Sequence, residues 1–142
     1  VGRPSATLEE IRDAAGKLDC LSILEELPNG LSTHIGEGGA GISQGQRQLI
    51  CFARAMLADP GILILDEATS SVDTITEVRI QTALAILLKG RTSLVVAHRL
   101  STIRHADTVL VMENGQLIEQ GPHAALLRKH GHYAALYKKF IS

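Results

Sequence analysis

Two short, almost uninterrupted apolar runs, GILILDE at 61–67 and TSLVVAH at 92–98, flank a segment with helical spacing, TEVRIQTALAILLKG at 76–90. Short continuous apolar runs suit parallel strands covered on both faces, and parallel neighbours need a crossover of about a dozen residues or more, usually a helix. The order strand, helix, strand therefore predicts an α/β unit with a parallel sheet at its core. Gly90 is placed to close the crossover helix, since a left-handed residue commonly follows a helix end.

The flanking segments fill in the architecture. TLEEIRDAAGKL and DCLSILEEL, together 7–27, have helical periodicity. Thr7 and Glu10 have the spacing of a capping box. From Pro28 to Gly45 that periodicity stops, and Gly30, Gly36, Gly38, Gly39, Gly41 and Gly45 mark an extended loop. QGQRQLICFARAMLAD at 44–59 resumes it, with Leu49, Ile50, Ala53, Met56 and Leu57 expected on one face and Pro60 as the stop. Further on, Asn114-Gly115 between two strand-like runs predicts a hairpin with a tight type I′ turn. Two helices, PHAALLRKH opened by Pro122 and HYAALYKKF, complete the pattern.

Composition narrows the function. With 142 residues, 45% hydrophobic and 20% charged, the chain can bury a real core. A formal net charge of -1 gives no global electrostatic attraction to nucleic acid or an anionic membrane, so any phosphate binding must be local. Cys20 and Cys51 suggest neither a disulfide framework nor a zinc knuckle; both are expected to be reduced cytosolic thiols in the core, Cys51 by its place in the apolar register of a helix. No apolar run approaches the roughly 20 residues that span a bilayer, and no signal peptide is visible, so the chain itself is expected to be soluble.

Ligands of parallel α/β sheets bind beyond the carboxyl ends of the strands. Asp66 is the last position of the first strand and Glu67 the next, so both carboxylates should emerge at that edge, and His98, at the end of the second strand, should reach it too. A carboxylate there suits a Mg²⁺ ligand acting through water, a neighbouring one suits a general base, and the histidine can bond a terminal phosphate. Plainer readings exist. A carboxylate pair can cap the following helix, a lone histidine can be structural, and glycine clusters report turns. The functional reading is favoured by the joint order: Ser-x-Gly-Gln before a helix, an apolar strand into Asp-Glu, then Ser-Ser-Val-Asp, then a strand ending in His.

In that order the motifs resemble those of ATP-binding cassette (ABC) ATPases. ISQGQRQ is similar to their signature, ILILDE to the Walker B strand, SSVD to the D-loop and AHRLSTI to the switch-histidine segment. VMENGQLIEQGPHAALL resembles the C-terminal hairpin and helix of ABC exporters, HIGEGGAGIS their X-loop, and VGRPSATLEEI the start of the helical subdomain. The resemblance covers essentially the whole chain, as a partial nucleotide-binding domain with 1–58 the helical subdomain, X-loop and signature and 59–142 the Walker B, D-loop, switch-histidine and C-terminal part. It departs from the family in two places. The usual Leu-Ser-Gly-Gly-Gln has Ile42 for Leu and Gln44 for the middle Gly, a variation that resembles bacterial half-transporters pairing with a different partner. No G-x-x-x-x-G-K-[ST] P-loop occurs, since Gly16-Lys17 has Ile11 and Leu18 where Gly and Ser or Thr belong.

The resemblance implies the ATP-binding portion of an exporter at the cytoplasmic face of the cell membrane, a P-loop NTPase-like fold, ATP and Mg²⁺ as ligands, and a transmembrane domain as partner. It implies that two such domains sandwich ATP head to tail. Ser43, Gln44, Gly45 and Gln46 would meet nucleotide held by the second domain, Asp66, Glu67 and His98 would serve nucleotide bound in cis, and Asp73 would lie at the dimer seam. The chain alone is expected to be inactive, and sheet edges and apolar faces that normally pack against an N-terminal part are expected to be open. An ABC ATPase of DNA repair or chromosome maintenance should show coiled-coil heptads or a basic surface, and neither is present. Glu67 and His98 argue against a non-catalytic interaction module for the complete protein, an alternative that stays open for the isolated chain.

Overall fold

The protein is described here from a computed structural model that covers residues 3–36, 41–66 and 72–141. Seven helices and four strands occur among the described residues: α1 Leu8–Lys17, α2 Leu21–Glu25, α3 Gln44–Ala58, β1 Ile62–Asp66, α4 Thr74–Leu88, β2 Thr92–Val96, α5 Leu100–His105, β3 Val109–Glu113, β4 Gln116–Gly121, α6 His123–Arg128 and α7 His132–Ile141. A 3₁₀ turn at Gly30–Ser32 interrupts the loop before α3. The fold is α/β, with β1 and β2 paired in parallel across α4 and β3 antiparallel to β4.

Local chemistry accounts for the element ends. Thr7 caps α1 in a full capping box: its hydroxyl accepts from the Glu10 N–H at 3.2 Å, and the Glu10 carboxylate accepts from the Thr7 N–H at 2.8 Å. The Thr7 N–H, followed by Arg3, holds the Glu10 carboxyl below its usual range. Asp59 ends α3 in the left-handed region at φ 42° with Pro60 behind it, and Gly90 turns the chain after α4 at φ 76°. Asn114 and Gly115 both have positive φ, 49° and 76°, as the type I′ hairpin turn demands.

The chain forms two compact units, 1–65 with 69–94 and 66–68 with 95–142. In the first, α1, α2, α3 and α4 enclose a core of Leu18, Cys20, Leu49, Phe52, Ile80 and Leu87, with Leu63 of β1 packed among them. Arg91, mostly buried, donates to the Leu87 carbonyl at 2.7 Å and pairs with the Asp59 carboxylate at 2.6 Å, tying the end of α3 to the end of α4. In the second unit Val111, Leu126, Tyr133 and Tyr137 form the core. There Arg104 donates to the Tyr137 hydroxyl at 2.9 Å, His123 Nδ1 lies 2.6 Å from the Tyr133 hydroxyl, and the Glu119 carboxylate accepts from the Tyr133 N–H at 2.8 Å.

Four expectations are corrected. Cys51 is exposed, and Phe52 takes the core place. At about 100° per residue, position 51 lies about 200° from Leu49, whereas 45, 49, 52 and 53 share one stripe. The strands are not covered on both faces: Leu63 is buried while Ile62 and Ile64 of β1 and Leu94 of β2 are exposed. The alternation follows from the pleat, which sends neighbouring side chains to opposite faces, and only one face of β1 meets the helices of its unit. His98 stands two residues past the end of β2 rather than ending it. The crossover helix begins at Thr74, not Thr76, because Asp73 supplies its cap.

Opposite faces of α4 give the first stability test. Ile80 is 0% exposed and Ile75 is 77% exposed. In urea unfolding, Ile80→Ala should lose about 2–5 kcal/mol through transfer and cavity terms, and Ile75→Ala no more than about 0.5 kcal/mol. The thiols give a second. Burial, and then the neighbouring Asp19 charge, pushes the Cys20 thiol up to about 11, so a maleimide at neutral pH should label Cys51 in the native protein and reach Cys20 only after denaturation. Equal labelling rates would contradict this core.

Candidate functional site

Ser43 is the N-cap of α3 in a second capping box. Its hydroxyl oxygen accepts from the Gln46 N–H at 3.1 Å, and Gln46 Oε1 accepts from the Ser43 N–H at 2.9 Å. Both side chains are thereby fixed through their oxygens, which leaves the Ser43 hydroxyl proton and the Gln46 amide hydrogens as donors. With the N–H groups of the first turn and the positive end of a 15-residue helix, they make a donor cluster suited to an anion. Ser43 and Gln44 are exposed, Gln46 is half-buried and Gly45 is buried.

Gly45 is buried against the start of α4. A Cβ built there would overlap Thr76 Cγ2 and lie 3.2 Å from Val72 Cγ1. Asp73 sits on the same structure as the N-cap of α4, accepting from the Thr76 N–H at 2.9 Å. That bond first, then the Thr76 hydroxyl, holds the Asp73 carboxyl below the usual carboxylate range. Ser43 to Gln46 and Asp73 are thus carried on adjoining helix starts within one unit. Sequence reasoning passed over Val72 and Thr76; the signal available was a Thr at the third helical position after a capping Asp, which a helical reading begun at Thr76 obscured.

Asp66 and His98 belong to the other unit and come together there. Asp66 closes β1, His98 follows β2, and His98 Nε2 stands 3.8 Å from Asp66 Oδ1. That separation is beyond a direct hydrogen bond and within reach of a bridging water. The Asp66 side chain is 83% exposed and His98 41%, so both are open to a ligand. Glu67 lies outside the described residues, as do 37–40 of the glycine loop and Ser70 and Ser71 before Asp73. Among the described residues no group of three or more His, Cys, Asp or Glu is assembled to hold a metal. Mg²⁺ needs no such cage: one or two carboxylates with waters and substrate phosphates suffice, so an exposed Asp66 fits that role. No helix of the described residues is long and apolar enough to cross a membrane.

Known proteins are similar to this chain in sequence and fold. The ABC transporter family's sequence profile matches residues 4–70. The uncharacterized ABC transporter ATP-binding protein YfiC of Bacillus subtilis is 53% identical over 137 residues, 96% of this chain and 23% of that protein. The ATP-dependent lipid A-core flippase of Desulfotalea psychrophila is 53% identical over 136 residues, covering 96% of this chain and 24% of the flippase. A bacterial Atm1-family ABC exporter solved with ATP bound superposes with a TM-score of 0.85 at 39% identity, over 99% of this chain and 25% of that one. The chain spans about a quarter of the length of these relatives. It belongs to the ABC transporter ATP-binding family.

Proposed function

We propose that this chain is the signature, Walker B and switch-histidine portion of the ATP-hydrolysing domain of an ABC exporter, at the cytoplasmic face of a membrane. The observation that carries the reading is the approach of His98 to Asp66, 3.8 Å apart, the one just past the end of β2 and the other the last residue of β1, at the edge where α/β sheets bind ligands. Asp66 is the Mg²⁺ ligand of the reading and would act through water. Held there, Mg²⁺ would supply charge neutralisation for the phosphates of ATP. Glu67, the next residue, takes a proton from the attacking water, and His98 donates to the γ-phosphate and orients Glu67.

The donor cluster at the start of α3 has the opposite polarity and a different task. Ser43, Gln44, Gly45 and Gln46 offer N–H and O–H groups to the γ-phosphate of a nucleotide held by a second ABC domain, with Asp73 at the seam between the two. Phosphoryl transfer depends on phosphates held in place, and the present 142 residues contain no P-loop sequence to hold them. Catalysis by these residues therefore requires a P-loop in the complete ATP-binding domain and a second such domain, in a homo- or heterodimer. A transmembrane domain completes the assembly and turns dimer closure into export. The exposed Ile62, Ile64 and Leu94 support this, because they offer an apolar sheet face of the kind the remainder of such a domain would cover.

Two substitutions in the full-length protein test the assignment. Glu67→Gln should slow ATP hydrolysis by about 10²-fold or more and leave ATP binding intact, since that is the order of a general base's contribution. Asp66→Asn should instead weaken the Mg²⁺ dependence of nucleotide binding itself. Turnover assays with equilibrium ATP binding over a Mg²⁺ series separate the two, and wild-type turnover in Glu67→Gln would remove the general-base role.

A further inference from the structure

Gly45 meets two residues of the segment that starts α4, and one of them also holds Asp73. The Cβ that Gly45 lacks would overlap the methyl of Thr76 and come within 3.2 Å of Val72 Cγ1 and 3.6 Å of Thr76 Cβ. The same Thr76 donates its N–H to the Asp73 carboxylate at 2.9 Å. One residue therefore touches both helix starts, its methyl on one and its backbone N–H on the other. Its χ1 is confined to two rotamers within a helix, so a larger residue at 45 would have to turn that methyl aside or displace the start of α4.

We propose that Thr76 is a positioning residue that locks the first turn of α3 to the first turn of α4, so that Ser43 to Gln46 and Asp73 are presented as one rigid element. The glycine at 45 is then demanded by the helix behind it, not by the close approach of a phosphate in front of it. A shift at either helix start is passed to the other, because neither can move without breaking the methyl contact or the bond to Asp73. The consequence for hydrolysis rests on the ABC reading above. The packing itself does not.

The test is a rescue in the full-length protein, reading kcat and KM for ATP together with thermal unfolding. Gly45→Ala should lower kcat by about tenfold, the scale of overpacking strain, and lower the melting temperature. Adding Thr76→Ser removes the methyl and keeps the hydroxyl; it should restore the melting temperature and return kcat to within about threefold of wild type, as directly coupled residues do in a double-mutant cycle. Adding Thr76→Val instead keeps a methyl and loses the hydroxyl, and should rescue neither. If Gly45→Ala behaves as wild type, or Thr76→Ser fails to restore stability, the lock is refuted. Recovery of melting without recovery of turnover would assign Gly45 to the nucleotide and overturn the positioning role. A full-length protein that hydrolyses no ATP would sink the ABC reading, while the melting temperatures would still decide the lock.

Discussion

Helices α3 and α4 lie side by side in the same direction, joined at both ends. At their starts Gly45 lets α3 settle onto Val72 and Thr76; at their ends Arg91, nearly enclosed, reaches the Asp59 carboxylate at 2.6 Å. Between these ties Leu49 and Phe52 of α3 and Ile80, Leu84 and Leu87 of α4 share one core with α1 and α2. Close packing of this kind resists small displacements, because each side chain is held by several neighbours. The donor cluster of Ser43 and Gln46 inherits its precision from that core: a capping box fixes two side chains locally, and helix packing fixes the helix that carries them.

The two chemical clusters are complementary in kind. One gathers donors at a helix start, the other an exposed carboxylate at the end of β1 and an imidazole just beyond β2. An anionic ligand such as a triphosphate needs both, donors for its oxygens and a carboxylate for the cation that accompanies it. With a formal net charge of -1, the chain does not attract such a ligand through its overall field, so recognition falls to these local groups and to whatever holds the phosphates. Under the proposed function, that division lets the chain contribute reacting groups while the rest of the domain binds the substrate.

Much of this was legible in the sequence, for reasons that differ from residue to residue. The Thr7–Glu10 box and the Asn114–Gly115 turn are decided within four residues, so local chemistry announces them. Asp66 at the end of β1 was equally plain, because the apolar run stops there. Cys51 was misplaced since both it and Phe52 are apolar, and which one faces inward depends on the helical phase set by partners distant in sequence. The strand faces were misread for a related reason. An apolar run reports what a strand can bury, whereas Ile62 and Ile64 show what its described neighbours actually cover. The contact of Gly45 with Thr76 spans 31 positions, 76 minus 45, and no short motif encodes it.

The central claim is that one chain serves two different composite sites, and labelling in a complex with a distinguishable partner tests it directly. Ser43→Arg in this chain alone places a bulky cation in the donor cluster, and a photoreactive ATP analogue then reports which P-loop still traps nucleotide. The account predicts that labelling is lost on the partner's P-loop, while Glu67→Gln in the same chain arrests hydrolysis at the site that uses its own. Loss of labelling on the mutated chain's own P-loop, with the partner's spared, would contradict the head-to-tail assignment of Ser43, Gln44, Gly45 and Gln46.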